Sequence, residues 1–481
     1  MIALTADADT LDVHDSYGGT SLAVSRCVFE GLVGLDQTMS VMNVLAQSWE
    51  PSADAKEFTF KLVPGVKFHD GTPFNAQAVK ASFERVLSTT TLKRNGYFAP
   101  VLDHVDVIDD GTVKLVAKQP FAAMIATISH PAGGIASPAA LQKYGADFGT
   151  NPVGTGPYKF VEWARGDHIT LDAFQDYWNK TSGPAVARLT LKGIPEPSSL
   201  AIAVQTGDAQ FAGTLPAAQA EQLRKVNGIQ ILETASSLQY YVNLNNSKKP
   251  FDDKRVRQAL NYGVNKDDVL KVADLGQGKI TDSPVAADGV WGYTKINAYA
   301  YDPNKAKDLL TQAGYPNGFK TTLWTTVTSK DRAVAIQAQL QKIGVTVDVV
   351  QMEAAALTAE EAKPVNQSQI QMLLSGWTPS TGDADWALRP LYTKALWPPA
   401  GPNYSFYTDP EVETDVTAGL QFTEPAKRSD TYAKAQQLIM DDAPSIFLYA
   451  PTYFSAVRAN IGGITVQNDG MVYMRTVYVK K

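Results

Sequence analysis

Cysteine is almost absent from this chain, and its scarcity excludes several kinds of site. Among 481 residues there is one cysteine, Cys27, so neither an internal disulfide nor a cysteine metal cluster can form. The apolar residues around Cys27 favour a buried, unreactive thiol on a helix face over a nucleophile.

Long hydrophobic runs and clusters of basic residues are lacking as well. No stretch approaches the roughly 18–20 apolar residues that a membrane-spanning helix needs. The formal net charge is −6, and no run of Lys and Arg offers a surface for a phosphate backbone, which argues against a nucleic-acid partner. The chain opens MIALTADADTLDVHD without a leader-like segment, and these residues alone are compatible with a cytoplasmic origin.

The linear signatures of common enzymes are also missing. The chain has no G-x-S-x-G elbow, P-loop, G-x-G-x-x-G or H-E-x-x-H, and Gly154–Thr155–Gly156 is too short for a nucleotide fingerprint. His69 beside Asp70 permits half of a catalytic pair, but Asp70–Gly71 favours a turn. The histidines show no metal-ligand spacing; they are His14, His69, His104, His130 and His168.

What is present indicates a large α/β protein. A chain of 481 residues predicts two or three domains, because single cores stop growing near about 250–300 residues. In the first third, periodicity and turn signals predict a helix leading into a strand at 22–35, a hairpin at 57–68 turning at Pro64–Gly65, a helix at 75–88 capped by Asn75, and a hairpin at 103–118. This mixture predicts a compact subdomain between about 39 and 160.

The second half has strong helix boundaries. Asp302 is the expected N-cap of a helix with Pro303 at its first position and Gly314 after its last turn. Strands at 321–327 and 346–352 flank a helix at 333–343, which predicts a partly parallel sheet. A helix is also expected at 426–442, followed by a buried strand pair at 445–457.

Two segments suit a ligand site. In NPVGTGPYKFVEW, residues 151–163, we expect two short strands around a tight turn, with Gly154 and Gly156 supplying unusual backbone angles. In residues 371–407, three tryptophans lie near hydroxyl and acidic side chains, as suits a pocket with apolar walls. The alternative for 371–407, a loop stapled by tryptophans onto its own domain, is equally compatible with these residues.

Several strings resemble a known family. GTGPY, VFEGLVGLD, FKLVPGVKFHDGTPF, QYYVNLNNSKKPFDD and YDPNKAKDLLTQAGYPNGF are similar to segments of the family 5 extracellular solute-binding proteins, the peptide-, nickel- and glutathione-binding receptors of bacterial ABC importers. They span nearly the whole chain in the right order. KQPFAAMIATISHPAGG and GWTPSTGDADWALRPLY most resemble the glutathione-binding members.

The resemblance implies a type II periplasmic binding-protein fold, in which two lobes close over a ligand cleft. The implied divisions are 1–38, 161–244 and 451–481 for the first lobe, 39–160 for its inserted subdomain, and 245–450 for the second lobe. The resemblance also implies a monomer that catalyses nothing, holds no metal or cofactor, and delivers its ligand to a membrane permease. It implies a periplasmic or extracytoplasmic location, an export signal trimmed from this chain, and either a free or a lipid-anchored form.

Candidate ligand contacts follow from the resemblance by position. Residues 19–21 would offer backbone and hydroxyl hydrogen bonds, and one of two adjacent crossover-strand tyrosines would face the cleft, since neighbours in a strand point opposite ways. Trp377 and the loop 380–383 would form the far wall. The expected contacts are Tyr17, Gly19, Thr20, Ser21, Arg94, Tyr240, Tyr241, Trp377, Ser380, Thr381, Asp383 and Trp397.

Two departures from the family pattern bear on the ligand. Ser380 replaces the aspartate that holds the α-ammonium in peptide-binding members, so an ordinary dipeptide would lose a bond of roughly 1.5–3 kcal/mol. Asp383 is the alternative partner for an ammonium placed elsewhere, as would suit a γ-glutamyl group. Leu357 stands near the position at which the glutathione-type members carry an arginine, so one carboxylate anchor is missing here. Arg94 is then the best remaining carboxylate partner; the alternative for Arg94 is a solvated charge at a helix end.

The leading hypothesis is an importer receptor for a short peptide or peptide-like thiol, with glutathione first. The alternatives within the class are a di- or oligopeptide receptor and a receptor for a nickel or haem chelate. Outside the class, a peptide hydrolase would release product, and a chaperone would bind broadly without preference for peptide termini.

Overall fold

The chain divides into two compact units, which are described separately. The computed structural model describes residues 1–297 and 299–480. The first unit comprises Met1–Thr234, Gln421–Thr423 and the residues from Tyr453 onward, and the second comprises Ala235–Leu420 and Glu424–Thr452. The lobe boundaries and the inserted subdomain expected from the resemblance stay predictions.

The helices and strands are interspersed along the chain, with runs of consecutive strands within residues 33–62, 158–193 and 445–479. The strands are Ile2–Leu4 (β1), Val33–Leu35 (β2), Val41–Asn43 (β3), Ala46–Pro51 (β4), Glu57–Leu62 (β5), Leu102–Asp109 (β6), Thr112–Ala117 (β7), Tyr158–Ala164 (β8), His168–Ala173 (β9), Arg188–Gly193 (β10), Phe211–Leu215 (β11), Ile229–Ala235 (β12), Gln239–Leu244 (β13), Gly278–Ile280 (β14), Lys320–Thr326 (β15), Thr346–Met352 (β16), Met372–Trp377 (β17), Ser445–Arg458 (β18), Ile461–Gly462 (β19), Thr465–Val466 (β20), Val472–Tyr473 (β21) and Tyr478–Val479 (β22). The α-helices are Gly19–Val28 (α1), Ala76–Ser88 (α2), Asn95–Phe98 (α3), Met124–Ser129 (α4), Pro138–Tyr144 (α5), Pro197–Thr206 (α6), Ala217–Leu223 (α7), Lys254–Gly263 (α8), Lys266–Asp274 (α9), Pro303–Gln312 (α10), Lys330–Gln341 (α11), Ala354–Glu361 (α12), Asp385–Tyr392 (α13), Pro410–Gly419 (α14) and Pro425–Asp442 (α15).

The main sheet of the first unit is mixed. Its strands run in the order β11-β1-β10-β9-β8, with β1 parallel to both neighbours and β9 antiparallel to β10 and β8. The last residues of β18 add an antiparallel strand beside β11. Helix α1 packs into the apolar core of this sheet through Val24, Cys27 and Val28, which confirms the prediction of a buried thiol on a helix face. Burial raises the pKa of Cys27 to about 12, so the thiol stays protonated.

A second, antiparallel sheet in this unit corrects one predicted hairpin. Strand β5 pairs with β4 on one side and β7 on the other, rather than with residues 66–68 as expected. The turn at Pro64–Gly65 instead leads into a loop, because β5 is already paired with β4, which directly precedes it in the chain, and with β7, which lies farther along. The hairpin of β6 and β7 and the helix α2 are confirmed, and the Asn75 side chain accepts a hydrogen bond from the backbone of Ala78 at 3.2 Å.

Residues 151–163 form a loop followed by one strand, β8, and the predicted strand before the turn is wrong. The glycines of the GTGPY segment do not adopt positive φ, so the expected reason for them is also wrong. A Cβ on Gly154 would lie 2.1 Å from the Val28 carbonyl oxygen, and one on Gly156 would lie 2.3 Å from that of Cys27. Glycine is therefore required here because the loop lies directly against the end of α1.

We expect Gly154→Ala to destabilise the first unit by about 1–3 kcal/mol, because either the loop or the end of α1 must move. Gly96→Ala is the matched control, since its Cβ would meet no heavy atom within 4 Å. Denaturant unfolding followed by fluorescence measures both. Equal unfolding midpoints for the two variants would contradict this account of the GTGPY loop.

The second unit contains the predicted parallel segment. Its sheet has the order β16-β15-β17-β13-β18, with β15 parallel to β16 and β17 and with β13 antiparallel to β17 and β18. Helix α11 connects β15 to β16, as the spacing predicted. Asp302 caps α10 through the backbone N–H groups of Asn304 and Lys305, and Gly314 follows that helix at φ +91°.

Strand β18 corrects the predicted strand pair at 445–457. It is one continuous strand of 14 residues; its first residues pair with β13 in the second unit and its last with β11 in the first. No helix among the described residues is long and apolar enough to cross a membrane.

Candidate functional site

The start of α1 holds three of the predicted contact residues. Gly19 is exposed, whereas the hydroxyl groups of Thr20 and Ser21 are turned inward. Thr20 donates to the Ala6 carbonyl oxygen at 2.8 Å, and Ser21 donates to the Asp9 carboxylate at 2.6 Å. Gly19 and Thr20 line a cavity of about 100 Å³. Because both hydroxyl groups are already used inside the unit, the start of α1 presents mainly backbone groups to this cavity.

Arg94 is buried without an ion pair in the described ranges 1–297 and 299–480. It is 5% exposed, its Nε donates to the Ser16 carbonyl oxygen at 2.8 Å, and its guanidinium lies 4.4 Å from the ring centre of Tyr17. Burial lowers its pKa from the usual value. The predicted alternative, a solvated charge, is therefore wrong, because the side chain is buried and stacked.

Tyr17 is largely exposed and is held by two contacts, one through its hydroxyl and one through the face of its ring. Its hydroxyl donates to the Lys93 carbonyl oxygen at 2.7 Å, and its face covers Arg94. Lys93 in turn pairs with Asp9 at 3.0 Å. Burial raises the pKa of Asp9, but hydrogen bonds from Ser21, Ser16 and Lys93 lower it well below its usual range. Tyr17, Arg94 and the start of α1 are thus linked through one small network.

The two adjacent tyrosines of β13 face opposite sides of the second unit's sheet. Tyr241 is buried in the core beside Phe447 and Leu388. Tyr240 is partly buried, and the Arg332 guanidinium lies 3.6 Å from its ring centre. Arg332 also donates to the Tyr449 hydroxyl at 2.6 Å and pairs with Asp274 at 3.0 Å. Because Tyr241 is buried, it contributes to packing. Tyr240 is the more accessible of the two rings and therefore the better candidate contact.

The loop after β17 carries the other predicted wall. Trp377 donates through Nε1 to the Trp386 carbonyl oxygen at 2.6 Å, and its ring packs against the unit's own core. Ser380 is half-buried, and Thr381 is buried with its hydroxyl oxygen accepting from the Asp383 backbone. The tryptophan therefore holds this loop against its own unit, which agrees with the alternative given for residues 371–407 in the sequence.

Asp383 is engaged inside the unit. Its two carboxylate oxygens accept from Arg428 at 2.7 and 2.8 Å, and one also accepts from the Asp385 backbone. Arg428 further donates to the Gly419 carbonyl oxygen and lies 4.7 Å from the Trp291 ring centre. This closed arrangement speaks against the ammonium-binding role that the sequence suggested for Asp383.

Trp397 and Leu357 complete the predicted positions. Trp397 donates to the Tyr407 carbonyl oxygen at 2.9 Å and packs edge-on against Phe406. Leu357 is buried beside Ile370 and Leu373, which is the environment of an apolar side chain and not of a carboxylate anchor.

Sequence reasoning missed Trp291 and Arg428. Trp291 is 38% exposed, and its backbone exchanges hydrogen bonds with Gly382 and Ala384 of the loop. No local pattern marks Arg428 as the partner of an aspartate 45 residues away. The exposed indole beside the loop makes Trp291 a further candidate contact.

His69 and Asp70 do not hydrogen-bond to each other. His69 contacts the Gly156 carbonyl oxygen at 2.9 Å, and Asp70 accepts instead from Thr72 and Ser137, which supports the turn interpretation. Burial lowers the pKa of His69 to about 4. Among residues 1–297 and 299–480, no group of three or more His, Cys, Asp or Glu side chains is placed to hold a metal ion.

Comparison with known proteins agrees with this picture of a binding protein. The family model of bacterial extracellular solute-binding proteins, family 5 Middle, matches residues 40–398. Glutathione-binding protein GsiB of Pectobacterium atrosepticum is 40% identical over 98% of this chain and 92% of its own length, and GsiB of Salmonella typhimurium is 37% identical over the same shares.

Solved structures match over the whole chain. DppA of Helicobacter pylori, an ABC transporter-associated periplasmic binding protein in complex with the peptide STSA, is 30% identical with a TM-score of 0.83, covering 100% of this chain and 98% of its own. HbpA2 of Haemophilus parasuis is 25% identical with a TM-score of 0.88, covering 100% and 99%. The predicted α/β binding-protein fold is confirmed. The chain belongs to the family 5 bacterial extracellular solute-binding proteins.

Proposed function

We propose that this protein is the substrate-binding receptor of a bacterial ABC importer and that its ligand is glutathione or a related γ-glutamyl peptide. The relatives named for glutathione binding support the ligand, since they match 98% of the chain. The observation that carries the proposal is Arg94, a buried guanidinium that forms no ion pair among the described residues, since the nearby Asp9 pairs with Lys93. A binding site needs such a group where the ligand supplies the anion.

Arg94 is suited to hold a ligand carboxylate. Because Nε is taken by the Ser16 carbonyl oxygen, the two terminal nitrogens remain for a bidentate contact, whose planar geometry matches a carboxylate. Stacking on Tyr17 fixes the plane of the guanidinium before the ligand arrives, which reduces the entropy lost on binding. Gly19 and Thr20 would add backbone contacts from the start of α1.

The loop of the second unit offers no free carboxylate at the place where peptide-binding members of the family hold the α-ammonium. We propose a γ-glutamyl peptide because its ammonium lies at a different place along the ligand, and because of the relatives named for glutathione binding. Ser380 carries no charge, and Asp383 is committed to Arg428, so the α-ammonium of an α-linked peptide gains no free carboxylate here. We propose that Trp377, Ser380 and Trp291 contact the ligand and that Asp383 shapes the loop. Thr381, Tyr240 and Trp397 remain candidate contacts, and Ser21 and Tyr241 would act through packing.

A thermal-shift panel on ligand-stripped protein tests the ligand class. The panel contains reduced and oxidised glutathione, γ-glutamyl dipeptides, α-linked di- and tripeptides, and nickel and haem chelates. We expect glutathione at 100 times its dissociation constant to add about 2.7 kcal/mol to stability, a rise in melting temperature of a few degrees for a chain of this length. A rise with α-linked peptides alone would overturn the γ-glutamyl assignment, and a rise with a chelate alone would assign that class.

A peptide receptor is the second candidate, because the STSA complex of DppA shows a 30% identical protein with a linear peptide. Mass spectrometry of the recovered ligand separates either receptor from a hydrolase, which would return cleaved product.

We further propose a monomer that works outside the cytoplasm, free or lipid-anchored, and delivers its ligand to a membrane permease. Crosslinking to the permease in membranes would test the delivery step.

A further inference from the structure

A small polar cavity lies inside the first unit, beside the last turns of α1. Its volume is about 40 Å³, and Ser25, Arg26, Glu30, His130 and Arg475 are among its lining residues. The candidate contacts Tyr17, Gly19 and Arg94 are not among them.

Two hydrogen-bond donors of this lining lack a partner within the described residues. The Arg26 side chain is 10% exposed, and its Nη2 pairs with Asp469 at 3.2 Å, but its Nη1 is buried and unpaired. The Ser25 hydroxyl is likewise buried and unpaired. Leaving such groups without a partner is costly, so an occupant of the cavity would have to accept hydrogen bonds.

The carboxylate of the lining, Glu30, is already used. One oxygen of Glu30 accepts from Tyr177 at 2.7 Å and from Arg475 at 2.6 Å, and the other accepts from Trp178 at 2.7 Å and from Thr155 at 3.1 Å. A water molecule would bring two hydrogens to a lining whose carboxylate is saturated. Since Nη1 of Arg26 and the Ser25 hydroxyl can both donate, an occupant that accepts from both and needs no acceptor in return is favoured.

His130 adds a further donor. Its Nδ1 accepts from the Ala132 backbone at 3.1 Å, so in the neutral ring the hydrogen is on Nε2. Burial, with the nearby Arg94 and Arg26, lowers the pKa of His130 well below its usual range. The ring therefore stays neutral and contributes no positive charge.

We propose that this cavity binds a small monovalent inorganic anion, of the size of a halide. Arg26 and Arg475 supply positive charge, and Ser25 supplies a neutral donor, while the volume of about 40 Å³ has no space for a peptide or a nucleotide. Asp469 already neutralises Arg26, and Glu30 already neutralises Arg475. A bound anion therefore adds a negative charge that no cation of its own balances, so we expect weak binding, with a dissociation constant on the order of millimolar.

The test compares salts at constant ionic strength on the full chain, without organic ligand. We expect sodium chloride and bromide to raise the melting temperature saturably over sodium gluconate. Ser25→Ala is expected to raise the halide dissociation constant roughly fivefold, and Arg26→Gln is expected to abolish the effect. Arg188→Gln is the matched control, because it breaks the exposed ion pair with Asp172 in the same unit and is expected to leave the halide effect unchanged.

A crystal grown in bromide gives an independent measurement, because its anomalous signal locates the ion. A bromide peak between Ser25 and Arg26 supports the site even if Arg26→Gln does not fold. A melting curve that depends equally on all three salts, or equal halide effects in wild type and Ser25→Ala, would overturn the proposal. A bromide crystal with no anomalous peak in the cavity would overturn it as well.

Discussion

Replacing Arg94 by glutamine is expected to raise the dissociation constant for glutathione by roughly 10- to 100-fold, the loss of one charge-assisted bond. Glutamine keeps much of the stem that packs against Tyr17 and Tyr97 but removes the charge and the bidentate geometry. Arg94→Lys keeps the charge alone, and we expect intermediate binding. Isothermal titration calorimetry on ligand-stripped protein measures all three proteins.

Arg165→Gln is the control for Arg94. Arg165 is exposed in the same unit and stacks on Trp163, with 3.9 Å between its guanidinium carbon and the ring centre, so it reproduces an arginine–aromatic contact away from the network of Tyr17. We expect unchanged binding. If folded Arg94→Gln bound glutathione as tightly as the control, the carboxylate assignment would be lost, while the importer function would stand if glutathione still bound.

Asp383→Asn is expected to destabilise the second unit by about 3–5 kcal/mol, because removing one partner of a buried ion pair leaves the other charge uncompensated. Arg428 is the charge left behind, and it has its remaining contacts with Gly419 and Tyr432 deep in the same unit. Denaturant unfolding, followed by the tryptophan fluorescence of the loop, measures the loss.

Glu424→Gln is the matched control for this pair. It breaks an exposed ion pair with Lys427 at the start of the same helix, α15, and exposed pairs contribute little. Replacing both buried partners, as Asp383→Leu with Arg428→Met, should restore part of the stability, since no lone charge remains. If Asp383→Asn unfolded like Glu424→Gln, the loop would not depend on the pair.

Local signals in the sequence predicted local structure well. Asn75 and Asp302 cap their helices through the next few backbone N–H groups, and the β15-α11-β16 order forms the expected parallel pair. Pairing between distant segments was not predictable. Strand β5 pairs on one side with β4, directly before it, and on the other with the distant β7. The turn after β5 was therefore mistaken for a hairpin.

The candidate site shows the same limit. The resemblance identified which positions to examine, but not which side chains are committed elsewhere. Asp383 has its partner on α15, and Ser21 donates to Asp9, so neither pairing leaves a pattern near the residue itself. Gly154 is explained only by the carbonyl group of Val28, which no backbone-angle rule for glycine contains.

Strand β18 pairs at its start with the second unit and at its end with the first, and this determines the order in which the two units can be completed during synthesis. Strand β11 pairs through Phe211 and Ala212 with Val457 and Ala456, which a ribosome makes on the order of ten seconds later. The segment 235–452, which makes up nearly all of the second unit, has emerged before those residues do. The first unit is therefore begun first and completed last. Until the end of β18 has been made, one edge of β11 has no partner strand, and such an open edge can pair with a wrong strand.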